Sequence, residues 1–414
     1  MSAKAQKPYV VALVGISRPG YRCLANGYLR ESLKRDMRLP SLAVATLEFD
    51  TDVDAWWVLY QVLSLTPAPD VLCFSVYCWN ARIVYEVLRL LEKVRPDQQV
   101  VLGGPEVGPI ADDLYVRFSQ ITYIVRGEGE QVLCDVVHAL WRGGDLTLLP
   151  RREPVEDLDT VPSPYSDAHP PAIDGSAYLE TFRGCPHRCA YCYEGKGISR
   201  IRTFSWQRIA QDIEYMATIP GMQSFSFVDS VFNLTKERLE RLSDILEPYA
   251  RRGLRLHTIE VDMERIDDEE ARLLKRAGVV SVETGPQTTG AAALACCNRT
   301  LDKAAYLRGV EACKRVGIRV EADLIIGLPG DTVDAVLESI RFALRADPGV
   351  VQASTLHVLP GTLLWEEADK LGLVFDSEPP HEIVATRDID YLQLRDLEVF
   401  SSALGALYRA QLAS

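Results

Sequence analysis

The chain has 414 residues, a formal net charge of -13, 47% hydrophobic and 25% charged residues, which is the balance of an ordinary soluble globular protein. It exceeds the roughly 250 to 300 residues at which one hydrophobic core stops growing, so at least two domains are expected. The acidity disfavours nucleic acid as a partner, because phosphate binding relies on clustered Lys and Arg.

The first apolar run, Val10 to Ile16, meets Arg18 at once. It is too short for a signal peptide's apolar region or a membrane span, so a cytoplasmic protein with no membrane partner is expected. Further runs at 43 to 49, 70 to 77, 99 to 103 and 122 to 126 read, with the first at 8 to 16, as five buried strands. Helical periodicity separates most of them, clearest in "IVYEVLRLLEKV" (83 to 94). This alternation predicts a doubly wound, Rossmann- or flavodoxin-like parallel sheet over 1 to 150, with ligands at the carboxyl ends of its strands. Those ends carry "GISRPG" (15 to 20), "SVYCWNAR" (75 to 82), "GGPEVG" (103 to 108) and "RGEGE" (126 to 130). Three of the four loops are glycine-rich, as close backbone approach to a bulky ligand requires.

Residues 151 to 176, with five prolines and little periodicity, read as a surface linker. A second alternating block follows over 177 to 375. Its strands are expected near 177 to 182, 223 to 229, 255 to 261, 279 to 283, 318 to 326 and 351 to 358. Six units fall short of the eight that close a (β/α) barrel, which predicts an α/β partial barrel of six units. From 376 to 414 the pattern is helical, ending in one long amphipathic helix expected to cover the open side of the barrel and shape a substrate pocket. His381, Arg387, Asp390 and Tyr391 in that region carry no assignment.

Ten cysteines in a chain of this kind do not read as a disulfide framework, which belongs to small secreted domains. Cys73, Cys78, Cys134 and Cys313 read as small buried hydrophobes, and the pair Cys296 and Cys297 carries no role. The stretch "RGCPHRCAYCYEG" (183 to 195) differs: turn-forming residues interrupt three thiols spaced C-x3-C-x2-C after the first strand of the second block. A structural zinc site needs four ligands; His187 is the one candidate fourth, poorly placed after Pro186. An iron–sulfur cluster on three cysteines leaves one iron open to a substrate or cofactor.

The motif resembles that of the radical S-adenosylmethionine (SAM) enzymes, C-x3-C-x-aromatic-C, with Tyr191 in the aromatic position. The resemblance implies that Cys185, Cys189 and Cys192 hold a [4Fe–4S] cluster. Its open iron would chelate SAM, and an electron from it would split the sulfonium to a 5'-deoxyadenosyl radical. Further stretches match the family's SAM-binding pattern. "FVDSVFN" (227 to 233) supplies Asp229 and Ser230 near the methionine amine, and "SVETGPQT" (281 to 288) supplies Glu283 toward the ribose or methionyl end. "ADLIIGLPGDT" (322 to 332) supplies Gly327 and Pro329 on the adenine side, and "LHVLPGTLLW" (356 to 365) follows the sixth strand.

A sheet domain ending in "GGPEV" and "VRGEGE" ahead of such a barrel is similar to the cobalamin-binding domain of cobalamin-dependent radical SAM enzymes. That likeness implies cobalamin contacts from Gly103, Gly104, Pro105, Glu106, Gly127, Glu128 and Gly129. Many cobalamin modules carry Asp-x-His-x-x-Gly after the first strand, but the loop here, "GISRPGYRCLANG", has no histidine, and His138 lies in a helical pattern. Cobalt is therefore expected to lack a histidine on its lower face, with Tyr77, Trp79 or Arg82 in its place.

The family implies a methyltransferase passing a methyl from SAM through cobalamin to a substrate carbon. A small molecule or carrier-bound natural-product intermediate is the expected substrate, with a flavodoxin or ferredoxin as electron donor. One alternative is a cyclase or rearranging enzyme with the same cofactors. A second is a tRNA methylthiotransferase, which would need a second cluster on N-terminal cysteines such as Cys23, Cys73 and Cys78.

Overall fold

The computed structural model describes residues 8–150, 153–165, 177–193 and 200–413. Of the linker expected over 151 to 176, residues 151–152 and 166–176 lie outside the described residues, as do Glu194 and Gly195 of the cysteine stretch. Two compact units divide the chain, Met1–Asp174 and Gly175–Ser414.

The first unit alternates β1 (Tyr9–Ser17), α1 (Leu24–Arg35), β2 (Leu42–Asp50), α2 (Ala55–Leu63), β3 (Val71–Ser75), α3 (Ala81–Val94), β4 (Gln99–Gly103), α4 (Ala111–Arg117), β5 (Ile121–Val125) and α5 (Gly129–Arg142). All pairings are parallel, in the order β2-β1-β3-β4-β5. The near-continuous apolar text of β1 follows from burial on both faces. Ala12, Val14 and Ile16 join one core with α2, α3 and α4, while Val11 and Leu13 join another with α1 and α5. Strand order reverses at β1, so the loops after β1 and β3 flank the switch point where such sheets bind ligands.

The second unit contains β6 (Tyr178–Leu179), β7 (Phe182–Arg183), β8 (Arg202–Thr203), α6 (Trp206–Thr218), β9 (Ser224–Phe227), α7 (Lys236–Arg251), β10 (Arg255–Leu256), β11 (Ile259–Glu260) and α8 (Asp268–Arg276). It continues with β12 (Ser281–Gln287), α9 (Ala291–Cys296), α10 (Lys303–Arg315), β13 (Arg319–Ile326), α11 (Val333–Ala346) and β14 (Val350–Thr355). The last elements are α12 (Leu363–Glu366), α13 (Ala368–Leu371), β15 (Val374–Phe375), β16 (Ile383–Ala385) and α14 (Tyr391–Ala413). Parallel strands form two sheets, β10-β9-β6 and β11-β12-β13-β14. Ser205, Thr235, Asp267, Asp302 and Thr332 cap α6, α7, α8, α10 and α11, each accepting a backbone N–H of the first turn.

Two expected strands are broken, each where a side chain from elsewhere in the chain takes a backbone N–H. The strand expected at 177 to 182 parts into β6 and β7, because the Asp229 carboxylate takes the Thr181 N–H (2.7 Å) and the Phe182 N–H (3.4 Å) that a continuous ladder would use. β7 pairs antiparallel with β8 instead. The strand expected at 255 to 261 parts at Thr258, whose left-handed backbone (φ 48°) gives its N–H to Ser281 Oγ at 3.0 Å. α14 packs along β14, where Leu404 and Tyr408 meet Val351 and Ala353, and Leu394 is fully buried. Among the described residues no helix is long and apolar enough to cross a membrane.

Candidate functional site

In the second unit the cysteine loop leaves β7 and is pinned from three directions. Ser230 Oγ, just past β9, donates to the Gly184 carbonyl at 2.8 Å. Ala190 N donates to the Cys297 carbonyl at the end of α9, and Leu364 N donates to the Ala190 carbonyl, both at 3.0 Å. Cys192 N turns back onto the Cys189 carbonyl at 3.1 Å. Cys189 is buried, while Cys185 and Cys192 are partly exposed. Among the described residues no group of three His, Cys, Asp or Glu side chains is arranged to hold a single metal ion.

Tyr191 packs against the apolar cluster that contains Ala190, Leu328 and Leu364. Burial pushes its hydroxyl well above the ordinary range. Gly327 and Pro329 stand in the turn after β13, where Gly327 closes on Ile383 and Leu394. Arg299, in the loop between α9 and α10, reaches both the loop and β12. Its Nη1 donates to Tyr191 Oη (2.9 Å) and Cys189 Sγ (3.5 Å), and its Nη2 donates to the Gly285 carbonyl (2.7 Å).

Asp229 differs from its sequence expectation. It is 1% exposed, and its oxygens are engaged with Thr181 N, Thr181 Oγ1 and Phe182 N. Arg238 lies 3.8 Å away, packed over the Phe182 ring and donating to Thr181 Oγ1. Burial raises the Asp229 carboxyl to about 6, against the lowering pull of Thr181 and Arg238. Asp229 therefore fastens the base of the cysteine loop, while its neighbour Ser230 lines the cavity.

That cavity, of about 680 Å³, opens beside the cysteine loop at the carboxyl ends of β11, β12 and β13. Glu260, Asp262, Glu264, Glu283 and Asp323 line it with Arg265, Arg299 and His187. His187 stands with its Nε2 3.7 Å from an Asp262 carboxylate oxygen. Burial first, then a hydrogen bond with Glu283 and repulsion from Glu283 and the neighbouring glutamates, raises the Asp323 carboxyl to about 9. Asp323 therefore keeps its proton at neutral pH.

In the first unit the expected cobalamin residues gather at the carboxyl edge of the sheet, with differing surroundings. Tyr77 and Trp79 stack with ring centroids 4.4 Å apart and planes within 5°, and Trp79 is 54% exposed. Asn80 sets this loop: its Nδ2 donates to the Ile16 and Ser75 carbonyls (both 3.0 Å), and its Oδ1 accepts from Tyr77 N (2.8 Å). Gly104 (φ 119°) is needed for protein packing, since a Cβ there would stand 2.2 Å from the Val76 carbonyl oxygen. Gly127 (φ 92°) faces open space, where a Cβ would meet nothing within 4 Å. Gly103 ends β4, Gly129 opens α5 against Leu29, and Glu106 is buried beside Pro105. Glu128 accepts from Val155 N at 2.7 Å, which engages one carboxylate oxygen in holding the following segment. Arg82 is exposed at the start of α3.

Sequence reasoning does not reach Arg299, Asp323 or Asn80. Arg299 offers one signal, a loop position after a strand at the carboxyl face of the block. Each has at least one neighbour from a distant part of the chain, Cys189 for Arg299, Glu283 for Asp323 and Ile16 for Asn80, which periodicity does not reveal.

Residues 179–343 match the Radical SAM superfamily model and residues 63–137 the B12 binding domain model. A protein described as an uncharacterized methyltransferase, PH0819 of Pyrococcus horikoshii, is 26% identical over 322 residues, covering 72% of this chain and 69% of that protein. The cobalamin-dependent radical SAM methyltransferase TokK of Streptomyces tokunonensis is 24% identical over 382 residues, 84% of this chain but 55% of TokK. Among solved structures, the radical SAM methyltransferase TsrM of Kitasatospora setae, with cobalamin and a [4Fe-4S] cluster bound, superposes with a TM-score of 0.73. It is 21% identical and covers 89% of this chain and 81% of that one, which shows a shared fold.

Proposed function

The chain belongs to the cobalamin-dependent radical SAM enzymes, and from that premise we propose that it methylates a carbon of a small-molecule or carrier-bound natural-product intermediate. The observation that carries the reading is one chain that joins a pinned three-thiol loop with a parallel-sheet edge bearing a stacked aromatic pair, its Trp79 exposed.

The residues present suit the groups the family uses. Cys185, Cys189 and Cys192 would hold the cluster, and Arg299 donates to the Cys189 sulfur, as suits a thiolate ligand. The acidic cavity with Ser230 and Glu283 suits the sulfonium and ammonium charges of SAM, and the Gly327–Pro329 turn its adenine side. Tyr77 and Trp79 offer a flat surface to a corrin, and Gly127 leaves room beside it. When bound, the cluster supplies the electron that cleaves SAM, and cobalamin carries the methyl group. The chain's own side chains hold and orient: Asp229 and Arg238 fix the base of the cysteine loop, and Asp323, beside Glu283, keeps a proton in the cavity. In this reading 255–260 is one interrupted strand, since β10 also bridges Val279, and the second unit counts six parallel strands. The electron would come from a flavodoxin- or ferredoxin-like donor.

The tRNA methylthiotransferase alternative has little support. Burial raises the thiols of Cys23 and Cys78 to about 11 and that of Cys73 further, which opposes thiolate ligation of a second cluster there.

The test uses SAM with a deuterated methyl group, reductant, cobalamin and candidate substrates. A labelled methyl in the product, with both 5'-deoxyadenosine and S-adenosylhomocysteine, is expected. An unlabelled product with 5'-deoxyadenosine alone would establish the cyclising or rearranging alternative. Labelled product without 5'-deoxyadenosine would mean polar transfer to a nucleophilic carbon.

A further inference from the structure

Arg299 owes its position to the end of α9. Asn298 adopts the left-handed conformation (φ 53°), which small polar residues tolerate, and Arg299 N bonds back to the Leu294 carbonyl at 2.9 Å. This turn aims the side chain across the cavity wall at a loop 110 residues earlier in sequence. There the guanidinium meets a thiol, a phenol and a backbone carbonyl. Among the described residues no carboxylate lies within ion-pair distance of it. Glu264 on the same cavity wall feels the guanidinium's charge, but the direct acceptors of the Arg299 N–H groups are the Cys189 sulfur, the Tyr191 hydroxyl and the Gly285 carbonyl.

We propose that Arg299 is a positioning residue that sets the reduction potential of the cluster held by Cys185, Cys189 and Cys192, through its charge and its N–H···S bond to Cys189. The inference rests on the cluster assignment made above. Hydrogen bonds to cluster sulfurs and local positive charge stabilise the reduced, more negative cluster and raise its potential. Arginine suits the place because its rigid fork reaches three acceptors at once, whereas lysine offers a point charge. Removing the guanidinium should therefore make the cluster harder to reduce.

The test is an anaerobic redox titration of the reconstituted full chain without SAM, followed by the electron paramagnetic resonance signal of the reduced cluster. Wild type is compared with R299M, R299Q and R299K at matched iron content. R299M and R299Q should titrate at more negative potential than wild type, with R299K between. Equal potentials, or more positive ones in the charge-removing variants, overturn the proposal. So does a drop in iron loading with no shift in the potential of the cluster that remains, which is what a purely structural role would produce. Should R299M not fold, R299Q carries the same expectation. A wild type that forms no reducible cluster would instead refute the cluster assignment itself.

Discussion

Asp229 and Ser230 are adjacent, yet they do different work. In a strand successive side chains leave on opposite faces, and the second and third positions past β9 keep that separation: Asp229 points into packed protein and Ser230 toward the cavity. A carboxylate at a strand end in sequence therefore says only that a charge is near the site. The cysteines are less ambiguous, because a thiol in a polar turn has no packing reason to be there. Replacing Cys185, Cys189 or Cys192 with Ala should remove most bound iron and all reductive SAM cleavage, measured by iron analysis and 5'-deoxyadenosine formation. Cys73→Ala, in the core of the first unit, should leave both intact. Full iron and cleavage in the three loop variants would refute the assignment.

Elements are placed more by packing than by propensity. β13 shows the strict alternation of a strand with one face against helices. Val320, Ala322, Leu324 and Ile326 are buried beneath α10 and α11, and Asp323 faces the cavity. The sheet is thereby built to carry charge inward, which soluble cores avoid unless a ligand site is there. α14 contributes differently, since Leu394 packs in one cluster with Ile326, Leu328, Ile383 and Ala190 and touches the space over Gly327. Its removal would open a cavity behind the turn after β13. Leu394→Ala is expected to destabilise the second unit by about 2 to 5 kcal/mol, read from the midpoint of urea unfolding. A change below about 1 kcal/mol would mean that α14 is dispensable to that core.

At the scale of the molecule, the chain assigns separate tasks to separate units. The first unit carries His138 on α5, beside Trp141, and has no histidine in the loop after β1. Cobalamin bound at the carboxyl edge of its sheet should then show no lower-axial nitrogen splitting in the electron paramagnetic resonance spectrum of the cob(II)alamin form. A resolved splitting would place an imidazole or the cofactor's own base beneath cobalt and would remove Tyr77, Trp79 and Arg82 from that face. The polar text between α9 and α10 follows the same division of labour, because it spends residues on the cysteine loop rather than on its own core.

Sequence alone determined the parallel sheet of the first unit, the alternation of the second, and the loop that bears the three thiols. Buried strands and amphipathic helices write their burial directly into residue order, and three thiols at C-x3-C-x2-C spacing among turn-forming residues stand apart from the cysteines of apolar runs. Only the tertiary structure decided that Asp229 fastens β6 and β7, that Gly104 yields to the Val76 carbonyl, and that Arg299 stands against Cys189. Each depends on a partner 28 to 110 residues away, and a hydrogen bond across that distance leaves no period in the sequence between its ends.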